Sequence, residues 1–539
     1  MKYFDDLGVM IDCSRNAVPS VSGLKRFIGA VSKMGYNVVM LYTEDTFEVD
    51  GEPYFGYKRG KYSADELREL DAYARGVGIE LVPFIQTLAH LGSLKRWRAY
   101  RHKIFDIDDI LLADEPRTYE FIDNIFASIE KSFTSRRVHL GFDEAHNIGL
   151  GKYKDKHGFC DRYELLLRHL GKVCDIARAH GFETTLIAND LFFNMNAGVF
   201  CTDEVRTFPK EITDAIPKGC ETVYWDYFAT DEKRYDAMMR SSKNLSPEVW
   251  FSGGAWTWGS FAPNNKYSIS RNSVAIPCAI KNGVRKAFFT LWGDNGGECA
   301  YEAVLPALMH AAALANGLTE AEMKAKFREI TGEEFDDFLD LDLPNYIFGE
   351  DVPVESPYFQ HSMSNYAKTH LYDDVFLGTM SANLAPCDDS VYKAYAARLH
   401  AHAKKSEKYS LLYENMARLC DVMEKKLLLA KKIRAAYEKD DRSALRALAE
   451  NDIAECIRRT DAFYESFRAQ WYAVNKTYGF EVQDARLGGL SRRLASCRDR
   501  LLDYADGKIP EIAELCEEIL PMDDTYITSW AEMISENWT

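Results

Sequence analysis

The sequence predicts an α/β fold, a (β/α)8 TIM barrel followed by an α-helical C-terminal domain. Eight short β-rich runs occur before residue 318, and amphipathic stretches of helical length separate them. After about residue 389 such runs give way to long helical patterns. The predicted organisation is a barrel at 1–318, a connecting segment at 319–388 and a helical domain at 389–539.

The eight predicted strands are rich in aliphatic, β-branched and aromatic residues. They are 7–14 (LGVMIDCS), 36–42 (YNVVMLY), 79–85 (IELVPFI), 137–142 (RVHLGF), 183–188 (ETTLIA), 221–227 (ETVYWDY), 248–254 (EVWFSGG) and 286–293 (KAFFTLWG). Predicted helices between them include 64–77, 160–181, 270–282 and 299–316. A doubly wound open sheet is the competing fold, but it usually has a glycine-rich phosphate turn after an early strand, and DCSRNAV is not one.

The region beyond the barrel has helical rather than strand periodicity. Apolar residues recur at helical spacing at Leu412, Met416, Leu419, Met423 and Leu427 and again at Leu445, Leu448, Phe463, Phe467 and Trp471. Segment 319–388 is interpreted as one or two helices and loops containing several prolines. The helical surface at 389–437 is interpreted as packing within the chain, with a homodimer interface as the alternative.

Composition excludes several classes of function. The 539 residues carry a net charge of −17 and no long basic run, which disfavours nucleic acid as a partner. No apolar stretch approaches the roughly 18 residues of a membrane span, and the first residues lack a secretion-signal pattern, so we expect a cytoplasmic chain without a membrane partner. The twelve cysteines are scattered without a CxxC pair, which disfavours structural zinc. We expect neither a metal nor an organic cofactor.

Polar and aromatic residues follow the predicted strands. In a barrel of this class catalytic groups come from the C-terminal ends of the strands. The candidates at these ends are Arg15, Glu44, Asp45, His90, Asp143, Glu144, Asn189 and Asp190, followed by YWDY, GGAWTW and LWGDNGGE. Aromatic faces stack on a pyranose and carboxylates protonate a leaving oxygen or stabilise an oxocarbenium-like transition state. The pattern therefore predicts glycoside hydrolysis, with a glycan or glycoconjugate as substrate.

Asp143 and Glu144 are adjacent, which is unusual for such a pair. In a standard retaining glycosidase the nucleophile and the acid are about 5 Å apart. Neighbours along a strand point in different directions. We infer that one of the two does something other than attack carbon.

Several motifs resemble one family. HLGFDE is similar to the His-x-Gly-Gly-Asp-Glu signature of glycoside hydrolase family 20, the β-N-acetylhexosaminidases. DEAHNIGLGKY, TEDTFEVDGEPYFGYKRG, IQTLAHL, VYWDY, GGAWTW and LWGDNGGE resemble the soluble bacterial branch of that family, in the same order. The resemblance covers about residues 1–318, and QWYAVNKTYGF and RLGGL extend it into the helical tail.

The resemblance implies a mechanism in which the substrate supplies the nucleophile. The 2-acetamido oxygen attacks the anomeric carbon and forms an oxazolinium intermediate with net retention. Glu144 is then the general acid and later the base. Asp143 orients the acetamide N–H and stabilises the charge that develops on it, and Tyr224 donates a hydrogen bond to the acetamido oxygen.

The resemblance also implies the substrate-binding residues. Arg15 holds sugar hydroxyls far from the anomeric carbon, and Glu44 with His90 matches a relay that tunes the acid. Contacts with O4, O6 or the sugar face are implied for Asp226, Trp292 and Asp294. Trp256 or Trp258 lines the pocket, and both alternatives stay open.

Three positions depart from the family pattern. Glu44 stands at a relay position that is associated with aspartate in the family. Phe142 stands where the signature has its second glycine, and we expect packing within a strand to accommodate it. Ala188 stands where a tryptophan of the acetamido pocket is expected, which indicates a wider acyl pocket, a tryptophan from elsewhere or a shifted alignment.

The predicted function is an exo-β-N-acetylhexosaminidase acting on terminal β-linked GlcNAc or GalNAc. The alternatives are a hydrolase for a modified hexosaminide, an inactive carbohydrate-binding barrel, and a glycosidase that uses Asp294 or Glu298 as a covalent nucleophile.

Overall fold

The computed structural model describes residues 2–350, 366–381, 387–520 and 529–537. Eight parallel strands close into a barrel in chain order. They are β1 (Asp6–Asp12), β2 (Val38–Tyr42), β3 (Glu80–Phe84), β4 (Arg137–His139), β5 (Thr184–Ala188), β6 (Cys220–Trp225), β7 (Val249–Gly254) and β8 (Lys286–Leu291). All eight predicted strands are present, and the predicted TIM barrel is confirmed.

Helices alternate with the strands. The helices of the barrel region are α1 (Val21–Met34), α2 (Ala64–Gly76), α3 (Arg98–Arg101), α4 (Pro116–Glu130), α5 (Lys152–His157), α6 (Arg162–Ala179), α7 (Asp190–Ala197), α8 (Lys210–Thr213), α9 (Glu232–Leu245), α10 (Asn265–Lys281) and α11 (Leu305–Asn316). Side-chain caps fix several starts, such as the reciprocal capping box between Ser63 and Glu66 at α2. Short 3-10 turns occupy Gly92–Arg96 and Tyr301–Val304.

The rest of the described chain is helical, as predicted. It contains α12 (Glu320–Thr331), α13 (Phe335–Leu339), α14 (Tyr366–Tyr372), α15 (Val391–Lys405), α16 (Ser410–Lys426), α17 (Leu429–Glu438), α18 (Arg442–Ala447), α19 (Ala454–Val474), α20 (Phe480–Ala505) and α21 (Trp530–Ile534). A π-helical turn at Leu448–Ile453 joins α18 to α19, and 3-10 turns lie at Asp340–Asn345 and Ala513–Leu515. Helix α19 packs against α1, which places the helical region on the side of the barrel. The domain bounds at 318 and 388 remain predictions.

Side-chain alternation divides the core in two. Met10, Met40, Leu186, Trp250 and Phe288 belong to one buried cluster in the barrel interior. Their strand neighbours, such as Val9 and Ile11, pack in the larger core beneath the helices. Because the side-chain period of a strand is two, every second residue of each strand faces the barrel axis. This parity decides which strand-end residues reach the central cavity.

The fourth strand ends earlier than predicted. The sequence predicts strand from 137 to 142, but β4 ends at His139. Gly141 and Phe142 have φ of 79° and 72°, in the left-handed region. A strand cannot continue through two such residues. We expected packing within a strand to accommodate Phe142, and this prediction is wrong. Phe142 lies in a left-handed turn, at a position where the family signature has glycine.

Two further features bear on the expected location and chemistry. Among the described residues, no helix combines the length and the apolar character that crossing a membrane requires. All twelve cysteines lie in the described parts of the chain as free thiols.

Candidate active site

A cavity of about 450 Å³ opens at the C-terminal end of the barrel. Strand ends and the following loops supply its wall. The lining residues are Arg15, Phe84, His90, His139, Asp143, Glu144, Ala188, Val223, Trp225, Tyr227, Phe228, Ser252, Trp258, Phe288, Thr290, Trp292 and Asp294. Its position matches that of active sites in (β/α)8 barrels.

The turn after β4 delivers the two adjacent acids. A Cβ on Gly141 would lie 1.9 Å from Oε1 of Gln86, so only glycine fits between this turn and the β3 loop. Glu144 also has positive φ, at 55°, and its backbone N–H donates to Oδ2 of Asp190 at 2.9 Å. The left-handed residues turn Asp143 and Glu144 into different surroundings.

Asp143 is held as a carboxylate. Only 14% of its side chain is exposed. Gln86 Nε2 donates to its Oδ1 at 2.9 Å, and His90 Nε2 lies 3.1 Å from its Oδ2. Although burial opposes ionisation, the charge of His90 and these contacts hold the pKa of Asp143 well below its usual range.

Glu144 lies at the mouth of the cavity, with 52% of its side chain exposed. Partial burial and the neighbouring Asp143 charge raise its pKa above the usual value. His90 Nε2 lies 3.7 Å from Glu144 Oε2, so the imidazole contacts both acids. Of the two carboxyl groups, Glu144 retains a proton to higher pH.

His90 joins the acids electrostatically. Burial disfavours its charged form, but the Asp143 carboxylate outweighs burial and raises the pKa of His90 to about 9. The imidazolium is therefore the state expected at neutral pH.

Arg15 lies at the centre of a second charged cluster. Its Nη1 is 3.3 Å from Asp12 Oδ2 and 3.2 Å from Glu44 Oε1, and its Nε is 3.5 Å from Asp294 Oδ1. Burial raises the pKa of Glu44 to about 7, against the opposing effect of Arg15. The predicted pairing of Glu44 with His90 is not seen as a direct contact, because Glu44 binds Arg15 and accepts from the Tyr42 hydroxyl at 3.0 Å.

Aromatic side chains form one wall of the cavity. Trp225 and Tyr227 stack with ring centres 5.3 Å apart, and Trp292 Nε1 donates to the Tyr227 hydroxyl at 3.0 Å. Trp258 lines the cavity, whereas Trp256 stacks against it at 3.7 Å and does not. Of the two tryptophans left open from sequence, Trp258 is thus the one that faces a ligand.

Four of the predicted site residues are not among those that line the cavity: Glu44, Tyr224, Asp226 and Trp256. Tyr224 and Asp226 are buried and do not line the cavity. The Tyr224 hydroxyl donates to Asp226 Oδ2 at 2.9 Å, and Asp226 Oδ1 accepts from the backbone of the following turn. Both have the outward parity of β6, so the structure does not bring them to the acids. The alternation of ETVYWDY already carried this information, since Trp225 and Tyr227 have the inward parity.

Three further residues were not singled out for the site from sequence alone. Trp225 and Tyr227 line the cavity, and Gln86 binds Asp143. Asp190, noted only at a strand end, is fully buried and accepts from the Glu144 backbone. Burial and the Asp143 charge raise the pKa of Asp190 to about 8. The roles of Gln86 and Asp190 have no local motif, because each depends on a contact between loops of different strands.

Family comparisons agree with this geometry. Residues 4–172 match the model of the glycosyl hydrolase family 20 catalytic domain, and residues 336–534 match that of the glycoside hydrolase 20C C-terminal domain. The chain belongs to glycoside hydrolase family 20. The two matches together span more than half of the chain and include both Asp143 and Glu144.

Named relatives of this family 20 chain are distant. Hexosaminidase D of Bos taurus is 22% identical over 277 residues, which is 50% of this chain and 75% of the bovine protein. Hexosaminidase D of Homo sapiens is 23% identical over 224 residues, or 40% of this chain and 43% of the human protein. These mammalian relatives do not bear on the bacterial branch, which remains a prediction.

Solved structures of family 20 enzymes are also distant from this chain. An exo-β-N-acetylglucosaminidase from Vibrio harveyi, solved with N-acetylglucosamine, has a TM-score of 0.45 and 17% identity. The superposition covers 63% of this chain and 58% of that one.

Proposed function

We propose that this chain is an exo-acting β-N-acetylhexosaminidase that removes terminal β-linked GlcNAc or GalNAc with substrate-assisted retention. The observation that carries the proposal is the contrast between two adjacent acids. Asp143 is largely enclosed and its pKa is lowered, whereas Glu144 is exposed at the mouth and its pKa is raised. An ionised group for the acetamide and a protonated group for the leaving oxygen are what this reaction requires.

In the first step the acetamido oxygen of the substrate attacks the anomeric carbon and the glycosidic C–O bond breaks. Glu144 gives its proton to the departing oxygen, and the product of this half-reaction is an oxazolinium ion. Asp143 accepts a hydrogen bond from the acetamide N–H and stabilises the positive charge that develops on the oxazolinium ring. In the second step the Glu144 carboxylate removes a proton from water as the water oxygen attacks the anomeric carbon. The oxazolinium ring opens, and the product has net retention of configuration.

The acetamido oxygen needs a hydrogen-bond donor, and Tyr227 fits that role. Tyr227 lines the cavity, while the Tyr224 hydroxyl donates to Asp226 and Tyr224 does not line it. Tyr227 accepts from Trp292 Nε1 at 3.0 Å, which leaves its own proton for a ligand. We therefore assign the predicted role of Tyr224 to Tyr227.

The opposite side of the cavity suits the sugar hydroxyls. Arg15 offers guanidinium donors and Asp294 a carboxylate, and 44% of the Asp294 side chain is exposed. Trp292 and Trp258 present aromatic faces for the apolar side of a pyranose. This arrangement supports recognition of one terminal sugar.

The covalent-nucleophile alternative finds less support. Glu298 is fully buried and paired with Lys368 and Arg486, so it does not reach the cavity. Asp294 reaches the cavity, but it is paired with Arg15 at 3.5 Å.

The testing experiment uses aryl β-GlcNAc and β-GalNAc substrates, with an aryl β-glucoside as the control that lacks the acetamide. A series of N-fluoroacetyl, N-difluoroacetyl and N-trifluoroacetyl glucosaminides withdraws electrons from the acetamido oxygen in steps. We expect no glucoside hydrolysis, a steep fall in kcat along the fluorinated series, and inhibition by a thiazoline mimic of the intermediate. Asp143→Asn should abolish the sensitivity to fluorination along with most of the activity.

A flat response to fluorination, or equal hydrolysis of the glucoside, would contradict the proposed mechanism. Sugar binding without turnover would favour the inactive carbohydrate-binding barrel instead.

A second candidate is a hydrolase for hexosaminides with a larger N-acyl group. The observation that favours it is Ala188, a small residue on the cavity wall beside Val223 in the strand register. We expect N-propionyl and N-butyryl glucosaminides to be hydrolysed with kcat/KM within about tenfold of the N-acetyl substrate, since no bulky side chain occupies this position. Filling the space with Ala188→Leu should restore preference for N-acetyl. A strong N-acetyl preference in the unmodified chain would show that Trp225 from the next strand already closes the acyl pocket.

A further inference from the structure

The loop that follows β8 carries two residues of the proposed sugar site, Trp292 and Asp294. The backbone of its first residues forms hydrogen bonds with barrel residues. Thr257 Oγ1 donates to the Trp292 carbonyl at 2.7 Å, and Gly259 N–H donates to the Asp294 carbonyl at 3.0 Å. Gly293 N–H donates to Asp12 Oδ2 at 2.9 Å.

The next part of the loop adopts left-handed backbone conformations. Asn295, Gly296 and Gly297 have φ of 61°, 129° and 60°. Glycine and asparagine adopt such φ values readily but do not fix them, so a single loop conformation needs support from its surroundings. A Cβ on Gly296 would lie 2.5 Å from Arg486 Nη1, which shows how closely the helical region approaches.

That support comes from helices far along the chain. Lys368 Nζ on α14 and Arg486 Nη1 on α20 both donate to the Asn295 carbonyl, at 2.7 Å and 2.6 Å. The backbone N–H of Trp530 on α21 donates to Asn295 Oδ1 at 3.0 Å. Three helices outside the barrel thus meet at one residue next to Asp294.

The two cations are themselves held by a buried carboxylate. The side chains of Glu298 and Lys368 are 0% exposed and form an ion pair, and Arg486 Nη1 lies 2.8 Å from Glu298 Oε1. Taking charges out of water costs several kcal/mol for each ion, so a buried ion cluster is weak support for stability alone. A buried charged network more readily defines one arrangement of the groups that it contacts.

We propose that Lys368 and Arg486 are positioning residues of the sugar site. By holding Asn295 they help to fix the neighbouring Trp292 and Asp294. In this way the helical region sets discrimination at the sugar hydroxyls far from the anomeric carbon. The inference rests on the proposed function. Asp294 and Trp292 lie against Arg15, whereas the two catalytic acids lie against His90. The contacts that Lys368 and Arg486 make with Asn295 are called the clamp. Loss of the clamp is therefore expected to affect substrate discrimination and KM more than the proton transfers.

The experiment compares Arg486→Met and Lys368→Met with Arg493→Met in the full-length chain. Arg493 is a matched control because it lies on the same helix α20 and makes a similar ion pair, with its Nε 2.6 Å from Asp374 Oδ2, away from the β8 loop. The substrates are an aryl β-GlcNAc and its 4-deoxy and 6-deoxy analogues. Asp294→Asn gives the reference for lost contact with the hydroxyls.

We expect the ratio of kcat/KM between the parent and deoxy sugars to fall by about tenfold in Arg486→Met and Lys368→Met, toward the ratio of Asp294→Asn. This fall corresponds to about 1.4 kcal/mol. KM for the parent should rise while kcat changes little, Arg493→Met should keep the original ratio, and Arg486→Lys should recover part of it. An unchanged ratio of kcat/KM between parent and deoxy sugars, whether both values fall equally or neither falls, would overturn the inference.

Amide hydrogen exchange provides a readout independent of activity. In Arg486→Met the amides of residues 293–297 should exchange faster, while those of β1 and β8 stay protected; unchanged exchange in this loop would also overturn the inference. If the unmodified chain hydrolyses no hexosaminide, the proposed function fails, and the exchange measurement alone decides whether the clamp exists.

Discussion

At the scale of single residues, Asp143 and Glu144 differ because their neighbours differ. Gln86 and His90 enclose the first acid, and the second faces the cavity mouth. Adjacent positions in the sequence therefore acquire opposite tendencies to hold a proton. The sequence predicts that one of the two neighbouring acids does something other than attack carbon, but the groups that separate their pKa values come from other loops.

Glu144→Gln should lower kcat/KM by about 10²–10⁴ for a substrate whose leaving group needs protonation, the usual contribution of a general acid. With a dinitrophenyl leaving group, which departs without a proton, the first step should remain fast. Hydrolysis of a methyl and a dinitrophenyl β-GlcNAc measures the difference. An equal loss on both substrates would contradict the assignment of Glu144 as the acid.

Tyr227→Phe and Tyr224→Phe form a matched pair that removes one hydroxyl from either side of the same wall. Loss of the Tyr227 donor should lower kcat by about 10²–10³, as for other oxyanion donors. Loss of the Tyr224 hydroxyl removes its hydrogen bond to Asp226 and should cost about 1 kcal/mol of folding stability with little effect on kcat. Steady-state kinetics and denaturant unfolding distinguish the two, and the reverse pattern would restore the role first implied for Tyr224.

At the scale of elements, the turn after β4 shows which parts of the site the sequence could predict. The strands, their order and the acids at their ends follow from apolar periodicity and a motif. The left-handed turn at Gly141 and Phe142 does not follow from the sequence, because the pattern of HLGF predicts that the strand continues. The alternation of β6 in the sequence already predicts that Trp225 and Tyr227 face inward. The similarity to the family motif instead favoured Tyr224 and Asp226.

Gly141→Ala tests the turn directly. The new methyl group would lie 1.9 Å from Gln86 Oε1 and the residue would have φ of 79°, so Gln86 must move away from Asp143. We expect kcat to fall by about two orders of magnitude, with a loss of about 1–2 kcal/mol from the backbone conformation. The double variant Gly141→Ala with Gln86→Ser relieves the clash, and it should be more stable than Gly141→Ala alone. Additive effects of the two changes on stability would contradict this contact.

At the scale of the whole molecule, buried titratable groups couple the site to folding. Burial raises the pKa of Glu44 to about 7 and of Asp190 to about 8, and Asp143 raises that of His90 to about 9. In each case the folded state binds a proton more tightly than the unfolded state. The stabilisation from these protons is therefore lost as pH rises through these values.

We expect the melting temperature to fall between about pH 6.5 and pH 8, because Asp190 and His90 act in the same direction across this window and Glu44 adds to them up to about pH 7. Lys368 acts oppositely above this window, since burial lowers its pKa to about 8. Thermal unfolding across the range measures the slope, and Asp190→Asn should make it shallower while keeping an acceptor for the Glu144 N–H. A melting temperature that is constant or rises over this window would contradict the expected protonation states.

The clamp at Asn295 also has a consequence for the order of synthesis. The barrel strands and both acids leave the ribosome first, whereas Arg486 and Trp530 follow roughly two hundred residues after the loop that they hold. The residues that would hold the β8 loop are therefore synthesised well after the loop itself. Under the proposed role of the clamp, a nascent barrel would acquire selective sugar recognition only after α20 and α21 have joined it.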